Sequence, residues 1–192
     1  MEKVKHAHPT ATIEVWAFDE HRVGLKPILR RVWAPKGKRP RAPIRPRYQW
    51  LYVDGFVEPT TGRTEWWVMP TVNVACCRQV LAKFADLRGA GPDKEVVLVW
   101  DQAGWHRSAR VAVPAHVHPV FLPAYSPELQ PAERLWPLIN EPLANRTVAD
   151  LDELETTLCA RCNQLDEQTD QIRALTQFHW WPTPPANLEP SP

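Results

Sequence analysis

The chain has 192 residues, 44% of them hydrophobic and 23% charged. That is the balance of a folded globular protein with one sizeable core, burying roughly 70% of its unfolded surface. The longest apolar run, 96–100, excludes a membrane span of ~20 residues. Glu2, Lys3 and Lys5 directly after Met1 leave no room for a secretory h-region. Four cysteines in this length predict a reducing cytoplasm rather than a disulfide framework. The formal charge of +1 conceals a segregation. Arg22, Lys26, Arg30, Arg31, Lys36, Lys38, Arg39, Arg41, Arg45 and Arg47 fall in a stretch without an acid, so the rest of the chain carries −9. Such a run reads either as a phosphate-binding surface or as a solvated loop.

In chain order, residues 12–18 alternate like a strand and end at Asp19-Glu20. Prolines 27, 35, 40, 43 and 46 then break the basic segment into extended pieces, with a short strand expected at 29–33. Residues 48–57 and 64–69 read as a hairpin whose loop contains Gly62. From Thr71 or Asn73 as N-cap, Cys76, Cys77, Val80, Leu81, Phe84 and Leu87 take helical spacing, stopped at Gly89. The segment 95–100, apolar throughout 96–100, predicts a strand buried on both faces, ending at Asp101. A short helix at 108–113, a strand at 117–122 and a helix opening at Pro131 and carrying Glu133 follow. The last helix is expected from a cap of Thr147 with Asp150, with Leu151, Leu154, Leu158, Cys162 and Leu165 on one face. The order predicts an α/β mixed sheet: three antiparallel strands, then alternating helix and strand, flanked by helices. We divide the chain into an N-terminal extension 1–11, a domain 12–170 and a Pro-rich tail 171–192.

Asp19 and Asp101 close two strands, where open α/β sheets place functional groups, and Glu133 follows Asp101 after 31 residues. Three such acids suit a hard divalent cation, and two ions ~3.5–4 Å apart serve phosphoryl transfer. Each acid also has an ordinary structural role open to it: a turn cap for Asp19, loop amides for Asp101, a capping box with Gln130 for Glu133.

Five blocks sharpen that choice. FDEHRVGLKPILRRVWAPKG at 18–37, YVDGFVEPTTGRTEWWVMP at 52–70, VWDQAGWHRS at 99–108, VFLPAYSPELQPAERLW at 120–136 and LANRTVADLDELE at 143–155 occur in this order. Together they resemble the catalytic domain of DDE transposases of the bacterial insertion-sequence group related to mariner elements (the DDE superfamily endonucleases). The resemblance covers about residues 13–165. It implies an RNase H-like fold, with Asp19, Asp101 and Glu133 as catalytic metal ligands for Mg²⁺ (two ions, with Mn²⁺ as substitute). It also implies DNA cleavage and strand transfer on element ends and target, a homodimer on DNA, and a cytoplasmic, nucleoid-associated protein. Three departures stand out. The family's helix-turn-helix region does not precede Asp19, so the chain reads as half of a split product or a truncation, with an N-terminal partner supplied separately. The Asp101–Glu133 gap is short, and Pro137 and Pro142 should kink or end the helix that presents Glu133.

Among the other candidates, Glu20 ranks behind Asp19 because its side chain takes the opposite face of the strand. Trp105 and His106, next to Asp101, are candidate DNA contacts. Trp16, Trp50 and Trp100 are expected in the core. Cys76, Cys77, Cys159 and Cys162 are expected to pack rather than bind zinc. The alternative functions are a non-catalytic DNA-binding or assembly fragment of a split transposase and, further off, a hybrid-duplex nuclease.

Overall fold

The computed structural model describes residues 1–38, 40–41, 47–102 and 111–182. Five strands form one mixed sheet: β1 (Thr12–Gly24), β2 (Trp50–Glu58), β3 (Arg63–Met69), β4 (Lys94–Trp100) and β5 (Val117–Phe121), in the order β3-β2-β1-β4-β5. The β1–β2 and β2–β3 pairs are antiparallel, while β4 runs parallel to β1 and β5 parallel to β4. This is the α/β mixed sheet expected from the sequence.

The helices are α1 (Glu2–Ala7), α2 (Val74–Arg88), α3 (Trp136–Ile139), α4 (Leu151–Asp166) and α5 (Thr169–Thr176). Helix α2 makes the crossover between the hairpin and β4. Asn73 caps it by accepting the Cys76 amide, and Gly89 ends it with φ 63°, a backbone that glycine adopts without steric cost.

Alternation along β1 divides the interior in two. Val15, Ala17 and Val23 face one cluster with Leu135, Trp136, Leu154, Leu158 and Leu165. Trp16 and Phe18 face the other, with Phe56, Leu81, Phe84 and Trp100. The buried run of β4 serves both faces, Val97 and Val99 one and Val96, Leu98 and Trp100 the other.

Several expectations are corrected. Residues 29–33 form no strand; only Ile28 makes an isolated bridge, to Ala144. The segment is instead tied down by its polar groups, with Asn145 bonding both the amide and the carbonyl of Arg30. Helix α4 is capped by Asp150, which accepts the Glu153 amide, so Thr147 lies upstream of its start. Trp50 is 40% exposed, because it opens β2 at the sheet's margin and stacks beneath the Arg22 guanidinium at 5.2 Å. Cys77 and Cys162 are buried as expected, but Cys159 is exposed, and all four thiols are free. Helix α5 and the fully ordered turn after it bring Ile172 and Trp181 into the α4 cluster, within the stretch read as tail. The helix expected at 108–113 falls largely outside the described residues, as do Arg39, Arg45, Trp105, His106 and prolines 184, 185, 190 and 192.

Candidate active site

The pairing of β1 with β4 in parallel runs both strands toward the same end of the sheet. Ala17 sits opposite Val99, so Asp19 and Asp101, each two residues further on, lie side by side; Asp101 follows the end of β4, whereas Asp19 does not end its strand as expected, because β1 continues to Gly24 against β2. The third acid arrives from below the sheet. Pro131–Leu135 forms a 3-10 turn that presents Glu133, and a single α-turn (α3, Trp136–Ile139) follows with Pro137 in its first turn. The helix expected to open at Pro131 is thus a short 3-10 turn, with Pro137 tolerated just after it, where its amide is not needed. Gln130 fixes the turn from within: it is buried and donates from Nε2 to the Phe18 carbonyl at 2.9 Å, immediately before Asp19.

The electrostatics show how closely the three acids meet. Asp19 is 7% exposed, and burial pushes its carboxyl from 3.8 up to about 8, with Glu133, Glu20 and Asp101 adding to the rise. Glu133 stands at the exposed rim and shares a hydrogen bond with Asp19; desolvation and the Asp101 charge raise it above the ordinary carboxylate range. Asp101 raises both carboxyls, while the hydrogen bond from Asp19 works the other way on Glu133; like charges gathered in this way disfavour full ionisation of the group. The donor set, all carboxylate oxygen, is that of a hard divalent ion. Asp101 and Glu133 line a cleft of ≈ 430 Å³ with Gln102, Tyr125 and Gln130.

A tryptophan that the sequence reading did not single out anchors the site. The Trp136 indole N–H donates to Asp19 Oδ2 at 2.9 Å. Its ring stacks on His21 at 5.0 Å, and His21 Nε2 is paired with Asn140 Oδ1 at 3.1 Å. Burial holds His21 below its ordinary value, with the Asn140 bond working the other way. The indole fits because Gly55 is the strand partner of Asp19, and a Cβ there would stand 2.8 Å from Trp136 Cη2. The local signal was present as Trp136 three positions after Glu133, but its partner lies 117 residues away. Tyr125 is a second residue missed. Its backbone has φ 59° and its side chain is fully exposed at the cleft mouth.

Of the basic residues singled out, Arg22, Lys26, Arg30, Arg31, Lys36, Lys38, Arg41 and Arg47 are all exposed. Arg30 donates to the Pro137 carbonyl at 2.8 Å and Arg47 to the Ala149 carbonyl at 2.6 Å, which lays the segment alongside the helices that follow Glu133. Glu20 remains near the three acids, where it raises Asp19.

Comparison with known proteins gives three findings. The family model "DDE superfamily endonuclease" matches residues 14–155. A protein of Sinorhizobium fredii (strain NBRC 101917 / NGR234), described only as uncharacterized protein y4pE/y4sA, is 33% identical over 132 residues, covering 68% of this chain and 96% of the relative. Among solved structures, the Mos1 strand transfer complex matches with TM-score 0.57 and 16% identity, over 87% of this chain and 56% of that one. The Mos1 mariner paired end complex with Mn matches with TM-score 0.58 and 15% identity, over 84% and 55%. The chain thus spans just over half the length of the Mos1 chains, and the likeness establishes the RNase H-like fold. Among the described residues no helix is long and apolar enough to cross a membrane.

Proposed function

The chain belongs to the DDE superfamily endonuclease family, and on that premise we propose that it is a transposase catalytic domain that cleaves DNA and transfers the cut strand. The observation that carries the reading is the convergence of Asp19, Asp101 and Glu133: Glu133 and Asp101 raise Asp19, Asp101 raises Glu133, and Asp19 and Glu133 share a hydrogen bond. Asp19, Asp101 and Glu133 hold the divalent cation, Mg²⁺ or Mn²⁺, in a pair of sites. When bound, the ions lower the pKa of an attacking water and offset charge on the leaving oxygen of an in-line displacement.

The protein's own part is to position and to exclude alternatives. Trp136 holds Asp19 Oδ2 and fixes which lone pairs face the cleft. Gln130 couples the Glu133 turn to the backbone of β1, so the third carboxylate keeps its place relative to the first. A water directed at the phosphodiester yields a free 3′-hydroxyl, and that hydroxyl then attacks target DNA at the same carboxylates. The exposed Arg and Lys of 22–47 hold the phosphate backbone and supply no sequence readout of their own. Element-end recognition falls to a helix-turn-helix partner, and the assembly on DNA is a homodimer at the cytoplasmic nucleoid. The domain responsible begins near residue 12 and runs past 170, since α5 and Trp181 belong to its core.

The test uses the full chain with labelled element-end DNA. Asp19→Asn, Asp101→Asn and Glu133→Gln should each abolish Mg²⁺-dependent cleavage, while DNA binding persists with a steep salt dependence. Full activity in any one of them removes that residue from the site. DNA binding by the wild type without nicking in either metal, even with an N-terminal partner supplied, favours the assembly-fragment reading.

A further inference from the structure

A second cluster of ligating groups lies at the opposite end of β4. Glu95, the second residue of the strand, is six positions from Asp101, or about 20 Å along an extended chain. Its side chain is wholly buried, and three imidazoles converge on it. His8 Nδ1 lies 3.0 Å and His116 Nδ1 2.9 Å from Oε1, and His118 Nε2 lies 2.7 Å from Oε2. These histidines come from three separate places: the residue closing α1, the turn before β5, and β5 itself. His116 is held at φ 64°, a left-handed backbone that non-glycine residues adopt only at a steric cost. Its main chain is locked there, its carbonyl accepting the Val96 amide at 2.9 Å.

A buried carboxylate needs donors, and one arginine would meet that need; three convergent imidazoles meet it with borderline-soft nitrogen ligands. One ligand atom each from His8, Glu95 and His118 lies within 4.8 Å of the others. A tetrahedral ion bound at about 2.0–2.2 Å to nitrogen and oxygen requires a somewhat tighter triangle, reachable by small side-chain rotations. His8 and His118 are each about one third exposed, so an ion has a path in, while the carboxylate is sealed behind them. Their rings stand 5.9 Å apart and tilted by 48°, facing one another across Glu95 rather than stacking flat.

We propose that His8, Glu95 and His118 form a binding site for a Zn²⁺-class ion, with His116 orienting the carboxylate from behind, and that the ion clamps the N-terminal segment to the sheet. Helix α1 buries no residue fully and packs only Val4 partly against the core, so His8 adds a polar attachment of that segment to β4 and β5. The site is independent of the nuclease reading, since it shares no ligand with the Asp19 cluster and its nitrogen donors select a different class of metal. The bond from His116 to Glu95 is the outer-shell arrangement that typically accounts for 10–100-fold in metal affinity.

The experiment uses the full chain carrying Asp19→Asn, Asp101→Asn and Glu133→Gln, which silences the carboxylate site. After chelation, Zn²⁺ and Co²⁺ are titrated by calorimetry and visible absorption. One equivalent of Zn²⁺ per chain, with the intense visible bands of tetrahedral Co²⁺, is the expected result. His8→Ala and His118→Ala should abolish both, and His116→Gln should weaken binding at least about tenfold. His8→Ala removes only a part-exposed side chain outside both cores and keeps the fold. As a measure that needs no variant, Zn²⁺ should slow amide exchange in residues 1–11 of the wild type. Absence of stoichiometric binding, or binding indifferent to His8→Ala and His118→Ala, overturns the site. Binding without protection of residues 1–11 overturns the clamp.

Discussion

In the metal-free protein, Asp19→Asn is expected to stabilise the fold, by an amount that grows with pH. Burial, with Glu133, Glu20 and Asp101 adding to it, pushes the Asp19 carboxyl from 3.8 in the unfolded chain to about 8 in the native state. The native state therefore holds a proton that the unfolded chain releases, so the contribution is fully present below about pH 4 and is lost as pH rises toward 8. At about 1.4 kcal/mol per pH unit, the part falling between pH 5 and 8 is worth about 3–4 kcal/mol. Asparagine keeps an oxygen for the Trp136 N–H and carries no charge, so the variant should lack this component of the decline. The assay is urea unfolding of both proteins in chelator at pH 5, 6.5 and 8. Their difference in stability should widen steadily across the series. Mg²⁺ or Mn²⁺ should then recover the wild type at pH 8 and leave the variant unchanged, and metal affinity of the wild type should rise up to about tenfold per pH unit below 8. Parallel pH profiles for the two proteins would refute the claim that Asp19 is buried among like charges.

Two further expectations follow from the packing around the site. Gly55→Ala drives a methyl group to within 2.8 Å of Trp136. It should cost about 1–3 kcal/mol in thermal unfolding and lower cleavage, and Trp136→Phe in the same chain should recover part of the stability without the activity, because the indole N–H is gone. Leu158→Ala, at a wholly buried position of α4, should cost about 2–5 kcal/mol in the same measurement; a loss below about 1 kcal/mol would mean that α4 does not seal that face of the sheet.

Asp101 was legible in the sequence because it follows a run whose hydrophobic pattern already declares a strand, and a strand's end is a defined place. At Asp19 the strand was legible but its length was not, since polar residues from Asp19 to Arg22 hide the continuation to Gly24 that pairing with β2 supports. Glu133 was legible through its block, although the helix read there is a 3-10 turn followed by α3 with Pro137 inside it. What the local pattern does not carry is the partner of a side chain. Trp136 looks like one more core aromatic until Gly55, more than eighty positions earlier, leaves a slot for it beside Asp19. The error at Trp50 has the same origin: its strand is real, but sheet order puts that end of β2 at the margin, beneath Arg22. Helix α5 escaped notice because it rests on little more than Ile172 and Thr176, too few buried positions to register as a period. His8, Glu95 and His118 passed unremarked for the same reason as Trp136, each being unexceptional until the sheet brings them together.

The parallel pairing of β1 with β4 has a consequence for the order of events during synthesis. Its two strands are separated by the hairpin and by all of α2, and the turn carrying Glu133 closes under them later still. Contacts of such long sequence separation form only after the intervening chain is available, and they form slowly. A ribosome-bound chain that has released Asp19 and Asp101 but not residue 133 therefore holds two mutually repelling carboxylates without the third. Under the proposed reading, the capacity to hold a cation would arrive only with the last third of the domain.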